Sequence, residues 1–377
     1  MKGVHSRSST KTSHKKGVSK MKEQGTISLI DQLLKRNAAQ AKEFSEGHLV
    51  RRLYRAQHPT EIVAFKCMDG RLNLSYMTET PVGYIQPYRD LGGRFDMGSP
   101  YFGSLIQRGV ESAVNQGRGT IIFVTYHFSV GKKERGCKGF HCNVDEAKNF
   151  TAVLCENVKS IFGDVEAVYP IQVGIETDHD ALVFHGRDGS IFDLSQVHGM
   201  SAEDFSTRLH SLYPDMNECM VKDLVPLLIG NQHHIKKIRE MNRQPIELDH
   251  REQVLAFGRG FDWLHEPNKA LIVGPYALDI EKPIVTAASI ILDNLNGGRI
   301  PKEDGVVLMI ASLYERNVGP DKRRAVEKSR SLAQFAQAAI KKGMPKLEPY
   351  MKTLVGIVDA ETRLFTPLEQ FEREEKR

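Results

Sequence analysis

The sequence predicts an α/β protein built as a duplication: two copies of a strand–helix unit with mostly parallel sheets flanked by helices. Two observations carry this. Short apolar runs of strand length alternate with longer stretches of helical periodicity, the pattern of parallel sheets with helical crossovers. Four such elements then recur in the same order in the second half. The strand-like run 270–274 resembles 63–67, 306–310 resembles 120–125, and the helical stretch 323–341 matches 144–162. Gly356-Ile357 with Leu364-Phe365 matches Gly174-Ile175 with Leu182-Val183. By this alignment Gly274 stands where Cys67 does, and Leu313 or Tyr314 where His127 does. The second copy therefore carries no Cys, His or Asp at those positions and reads as a degenerate packing partner.

The elements follow in order. Residues 1–25 form a basic tail. Lys2, Arg7, Lys11, Lys15, Lys16, Lys20 and Lys22 stand there among Ser, Thr, Gly and His, without an acid up to residue 22. Such a block reads as a disordered solubilising tail, or as an electrostatic tether to an acidic protein partner. Residues 26–48 hold one helix: Ile27, Ile30, Leu33 and Leu34 share a face, and Asp31, Lys35 and Arg36 lie off it. Residues 49–204 form the first unit, with strands at 62–66, 120–126 and 170–176 and helices at 104–116 and 144–162. A hairpin pairs 181–184 with 190–194 around Arg187-Asp188-Gly189. The stretch 81–103 has too many Gly and Pro for one regular element, and carries Tyr84, Tyr88, Phe95, Tyr101 and Phe102. Residues 205–377 form the degenerate repeat.

Composition narrows the class. The chain has 377 residues, 40% hydrophobic and 26% charged, as in an ordinary globular protein. No apolar segment has spanning length, so no membrane span is expected. Five cysteines at irregular spacings do not make a disulfide framework, and a reducing cytoplasm leaves them free for metal. The net charge of +5 is concentrated in the tail, and the remainder is close to neutral, which speaks against nucleic acid as a partner.

The chemistry gathers at Cys67-Met68-Asp69-Gly70-Arg71, which follows the buried run Ile62-Val63-Ala64-Phe65. It places a thiol, a carboxylate and a guanidinium just past a strand's C-terminal end, where open α/β sheets put their ligands. His127 ends the next strand, and Cys137 follows on a loop leading to a helix. Two thiolates and an imidazole make a three-ligand zinc set that leaves a position for water. Asp69 and Arg71 share a face of an extended segment, so an ion pair would orient Asp69 and keep it ionised. The adjacent His141 and Cys142 compete with Cys137 for the third ligand position. Taken singly, each residue has a plainer reading: Cys67 as core filler, His127 as a structural histidine, Asp69-Gly70 as a turn.

Cys-x-Asp-x-Arg after the first strand, a His after the second and a Cys on the following loop resemble the β-class carbonic anhydrases. The common β-class form has His-x-x-Cys, whereas nine residues separate His127 from Cys137 here. Tyr126-His127-Phe128-Ser129, then Gly136-Cys137 and His141, with the acidic segment 176–181, look like the carboxysome shell carbonic anhydrase branch. That branch has a duplicated fold whose second copy lost its zinc ligands. The resemblance covers roughly residues 50–365. It implies Zn2+ on Cys67, His127 and Cys137, Asp69 and Arg71 as the catalytic dyad, and Gly93 and Arg94 lining the site. It also implies reversible hydration of CO2 to bicarbonate through zinc hydroxide, in a pocket lined by aromatics from 84–102. The proton would leave through His141 or His179. A homo-oligomer, residence in a cytoplasmic carboxysome and a carboxysomal protein partner for the tail belong to the same expectation. Two other readings stand beside it: a catalytically silent, zinc-containing scaffold, and the same site acting on a related linear molecule such as carbon disulfide.

Overall fold

A computed structural model describes residues 28–163, 165–262, 264 and 268–370; the basic tail lies outside them. Helix α1 (Leu29–Glu46) starts at Ser28, whose hydroxyl caps the Asp31 amide. Its buried residues Leu29, Leu33, Asn37 and Ala41 recur every four positions on one stripe. Asn37 fixes where that stripe lands: its amide donates to the Arg363 carbonyl at 3.0 Å and accepts from the Phe365 amide at 2.7 Å. The predicted helix therefore packs on the second sheet. Helix α2 (His48–Gln57) follows and buries no residue.

The first sheet contains β1 (Glu61–Cys67), β2 (Ile85–Asp90), β3 (Thr120–Phe128), β4 (Val168–Glu176), β5 (Ala181–His185) and β6 (Ile191–Asp193), in the order β2-β1-β3-β4-β5-β6. The first four strands are mutually parallel, and β5 and β6 turn back antiparallel. Ile121, Ile122, Phe123 and Val124 of β3 are all 0% exposed, because helices cover both faces of this central strand. The connections hold α3 (Leu74–Met77), α4 (Pro100–Val114) and α5 (Val144–Phe162). Helix α4 begins four residues before the predicted 104 because Pro100 occupies its first turn, where a missing N–H costs nothing. Within the Gly/Pro-rich stretch lies an unforeseen strand, β2, whose Pro87 is tolerated at the end of a sheet.

Helices α6 (Ala202–Leu212) and α7 (Glu218–Met241) come next, and the sequence reading placed them in the second unit. Their partners lie in the first. Asn231 of α7 donates to the Met77 and Asp180 carbonyls at 3.0 and 2.8 Å and accepts from the Leu182 amide at 3.0 Å. His234 meets Asp180 at 2.9 Å. After α8 (Pro245–Leu248) the second sheet forms from β7 (Val254–Gly258), β8 (Ala270–Val273), β9 (Val306–Tyr314), β10 (Met351–Asp359) and β11 (Phe365–Pro367), with α9 (Glu281–Asn296) and α10 (Asp321–Gly343) between them. Its order is β11-β10-β9-β7-β8, parallel except for β11, so it repeats the first five positions of the first sheet.

That topology corrects the internal alignment. Strand β8 is the edge strand beside β7, the place β2 holds beside β1; it is not the counterpart of β1. Val124 and Ile310 are each the fifth residue of their strands and pair with Phe65 and Phe257. Cys67 thus corresponds to Arg259, not Gly274, and His127 to Leu313. The second unit still has no ligand at either position. The two sheets meet at their edges: the Ile272 amide donates to the Met68 carbonyl and the Gly274 amide to the Arg89 carbonyl, each at 2.9 Å. A Cβ on Gly70 would come within 2.3 Å of the Ala270 carbonyl, so this junction requires a glycine beside Asp69.

Candidate metal centre

Two strand ends and one loop converge at this junction. Cys67 ends β1, His127 is the penultimate residue of β3, and Cys137 lies on the loop between β3 and α5. Strands β1 and β3 are adjacent and parallel, so their C-terminal ends emerge on the same side. Cys67, His127 and Cys137 are 5%, 2% and 3% exposed, and their ligand atoms all lie within 4.8 Å of one another. The two sulfurs are 3.8 Å apart. Neither ring nitrogen of His127 has a hydrogen-bond partner, although both are buried. An orphaned buried imidazole facing two thiols is the donor set a metal ion satisfies. In the metal-free chain the Cys137 thiol donates toward Cys67, which outweighs burial and, with His127 near, holds the Cys67 thiol well below its usual range. The same contact and burial push Cys137 up.

Cys137 takes the third position. The Cys142 sulfur instead lies 3.6 Å from the carbonyls of Glu134 and Gly136, and His141 is exposed. The glycine that matters at Cys67 is Gly92: its amide donates to the Cys67 sulfur at 3.3 Å, from a backbone with φ +70°. Gly93 packs against the backbone of Lys66 and Cys67. Arg94 lies over the rings of Phe140 and Phe150 and donates to the Gly139 carbonyl at 3.1 Å, bracing the loop that carries Cys137.

Asp69 and Arg71 pair as expected. Arg71 Nε donates to Asp69 Oδ1 at 3.0 Å and Nη2 to Oδ2 at 2.7 Å; the Arg71 amide adds a third bond to Oδ1 at 2.9 Å. Burial opposes ionisation of Asp69, but Arg71, with His250 and His127 near, outweighs it and holds the carboxyl well below the usual range. The pair is itself anchored. Arg71 also donates to the carbonyls of Leu248 at 2.9 Å and Arg135 at 2.7 Å. Arg89 donates to the carbonyls of Asp69 and Leu72 at 3.1 and 3.0 Å, and buried Lys66 reaches the Leu72 carbonyl. The turn 68–72 is thereby held on every side. Asp69 Oδ2 lies 3.9 Å from His127 Nε2.

The sequence did not single out His250 and Glu252. His250 Nδ1 lies 3.0 and 3.1 Å from the two Glu252 oxygens, and its Nε2 lies 4.0 Å from Asp69 Oδ2. These residues sit 179 or more positions from Arg71 in the chain. Their only signal was a charged tetrad, Asp249-His250-Arg251-Glu252, just before the apolar run of β7. Asp69, His250 and Glu252 together have a metal-like spacing. Both Asp69 oxygens of this set are already bound by Arg71, which leaves Asp69 a poor ligand for a second metal ion.

One expectation is corrected. The aromatics of 84–102 do not surround the metal position. Phe65, Tyr88, Phe95, Phe102 and Tyr276 pack on one another, with Phe95 and Phe102 stacked at 4.5 Å, as core. His179 is bonded to Glu176 at 2.9 Å, while Asp178 accepts from the Ser129 hydroxyl at 2.7 Å and the Gly131 amide at 2.6 Å. The acidic segment therefore fastens the loop that follows β3. Among the described residues no helix is long and apolar enough to cross a membrane. No protein-family model matches this sequence, and neither does any curated protein.

Proposed function

We propose that the chain is a zinc-dependent carbonic anhydrase that reversibly hydrates CO2 to bicarbonate. The observation that carries this is a buried two-sulfur, one-nitrogen ligand set with an ionised, arginine-held carboxylate 3.9 Å from the imidazole ligand. Zinc on Cys67, His127 and Cys137 would lower the pKa of a water toward neutrality and so supply the nucleophile. The chain's own part is orientation. Arg71 holds Asp69 in one rotamer, and the carboxylate accepts a hydrogen bond from the attacking water, turning that water's remaining lone pair toward the carbon. The 68–72 turn, braced by Lys66 and Arg89, keeps this carboxylate in place without reorganisation.

The pairing favours this reading over a silent scaffold. A purely structural zinc site is closed by a fourth ligand, whereas both Asp69 oxygens are engaged by Arg71. Metal analysis with a stopped-flow CO2 hydration assay on the full chain tests the proposal. Zinc at about one per chain with hydration above the buffer rate supports it; bound zinc without hydration moves the chain to the scaffold reading. Homo-oligomerisation and a carboxysomal setting rest on the resemblance alone, and a partner for the tail rests on its run of basic residues. Sedimentation of the purified chain and co-fractionation with carboxysome shells test them.

A further inference from the structure

Carbon dioxide and water become bicarbonate and a proton, and that proton must reach solvent. Cys67, Asp69, Arg71, His127 and Cys137 are each no more than 7% exposed. His250 stands on the outward side of this group. Side-chain exposure rises from 2% at His127 through 4% at Asp69 to 11% at His250. The two imidazoles approach the same oxygen, Asp69 Oδ2, with His127 Nε2 at 3.9 Å and His250 Nε2 at 4.0 Å. A short water bridge spans such a gap.

The hydrogen bonds around His250 fix which nitrogen is available. Glu252 is 0% exposed, and its two oxygens lie 3.0 and 3.1 Å from His250 Nδ1. A buried carboxylate there keeps the proton on Nδ1 and leaves the Nε2 lone pair facing the site. Arg71 Nη2 donates to Asp69 Oδ2 and the Arg135 carbonyl, both at 2.7 Å, and makes a longer, shared contact of 3.4 Å with Nε2; protonating Nε2 costs only that long contact. Nε2 can therefore accept a proton without breaking the dyad.

We propose that His250, oriented by Glu252, is the proton carrier of this site. The assignment rests on the carbonic anhydrase reading above. Nε2 takes the proton released as water adds to carbon dioxide, and the imidazolium keeps its Nδ1–H on Glu252. A buffer base then removes the proton from Nε2 and restores the starting charge. The surroundings suit both states. Burial and Arg71 disfavour the imidazolium; Glu252, helped by Asp69, outweighs them and sets the His250 pKa above its ordinary value. Arg299 donates to the His250 carbonyl at 2.9 Å and to Asn294 Oδ1 at 3.0 and 2.8 Å, and Arg135 donates to Asp249 at 2.8 Å. The proposal also gives the degenerate half a chemical task, since His250 and Glu252 lead into β7, the strand that corresponds to β1.

Two measurements test it. In the zinc-free chain, the His250 imidazole is titrated by NMR, its signal assigned by its loss in His250→Gln. Its pKa should lie above the ordinary histidine value and fall in Glu252→Gln; an unchanged pKa in that variant overturns the orienting role of Glu252. In the zinc-loaded chain, His250→Gln should lower kcat about tenfold or more in dilute buffer, with kcat/KM for carbon dioxide within about twofold of wild type. Imidazole added to the buffer should restore kcat. Equal losses in kcat and kcat/KM, or no recovery with imidazole, overturn the assignment while leaving the carbonic anhydrase reading intact. A zinc-loaded wild-type chain without hydration activity overturns that reading, and the assignment falls with it.

Discussion

Removing Arg71 alone should cost more stability than removing Arg71 together with Asp69. In Arg71→Met the guanidinium leaves behind a carboxylate whose side chain is 4% exposed. Uncompensated charges of this kind cost about 3–5 kcal/mol. The Leu248 and Arg135 carbonyls also lose donors at 2.9 and 2.7 Å, about 1 kcal/mol each. Asp69 has one escape, which is to take a proton. At pH 7.5 that means raising its pKa roughly 3.6 units above the usual 3.9, about 5 kcal/mol at 1.36 kcal/mol per unit. Protonation therefore caps the charge penalty at about 5 kcal/mol, and the whole loss should come to about 5–7 kcal/mol. Asp69→Leu/Arg71→Met removes both charges at similar volume and leaves the two carbonyls and the Arg71 amide unpaired, about 1 kcal/mol each. It should recover about 3 kcal/mol relative to the single variant. Urea unfolding of the zinc-free chain at pH 7.5 measures both. A double variant no more stable than Arg71→Met would refute the reasoning, because it would mean Arg71 acts through the loop carbonyls and not through Asp69.

The remaining predictions concern the ligands, the carboxylate, the junction and acid stability. Cys137→Ala should lose stoichiometric zinc while Cys142→Ala keeps it, read by metal analysis after dialysis; the reverse pattern would move the third ligand to Cys142. Asp69→Asn should retain zinc and lose hydration turnover by about 10²-fold or more, and undiminished turnover would remove Asp69 from the reaction. Gly70→Ala places a methyl 2.3 Å from the Ala270 carbonyl, against backbone that cannot rotate away. Thermal unfolding should show a loss of about 2 kcal/mol, and an unchanged midpoint would show that the sheet junction gives way. Burial, with Lys148 near, lowers the His185 pKa to about 4, and its Nε2 accepts from the Tyr126 hydroxyl at 2.9 Å. The folded chain thus binds this proton less readily than the unfolded one. The associated stability is complete above about pH 6.5 and falls as pH drops toward 4. After discounting for partial exposure it amounts to about 2 kcal/mol, and a His185→Gln chain followed by urea unfolding should lack that pH dependence.

What was legible in the sequence follows from what each signal depends on. The strands carrying Cys67 and His127 are continuous apolar runs buried on both faces, so composition alone marks them. The dyad was legible because its partners are two residues apart, although the expected extended segment is a turn: the Leu72 amide bonds the Asp69 carbonyl and the Arg71 amide bonds the Asp69 carboxylate, which brings the two side chains together. Strand β2 was hidden by Pro87 and by the glycines around it, which in isolation argue for loop. Strand β7 was overlooked although it is as apolar as β8, and that displaced Cys67's counterpart from Arg259 to Gly274. The aromatic stretch misled in the opposite direction. Rings in a glycine-rich segment look like a pocket lining, but they pack on Phe65 and Tyr276, and the second of these comes from the other half of the chain. His250 and Glu252 were illegible for the same reason. Nothing local ties them to Asp69; only the meeting of two sheet edges does.

That meeting also bears on what the second half, which carries no ligand at the corresponding positions, does for the site. Parallel sheets need both faces covered and their edges answered. Here the edge of the first sheet is continued by the Ile272 and Gly274 amides, which bond to the Met68 and Arg89 carbonyls. Met68 lies between Cys67 and Asp69, and Arg89 grips the Asp69 carbonyl. The second sheet is therefore tied by backbone bonds to the very turn that carries the dyad. The Leu248 carbonyl extends that hold to the Arg71 guanidinium itself. Arg259 and Leu313, the positions that correspond to Cys67 and His127, take no part in these contacts, which depend on strand position and not on side-chain chemistry. The consequence is directional: substitutions at the sheet junction should disturb the placement of Asp69 more than substitutions at the Arg259 and Leu313 positions.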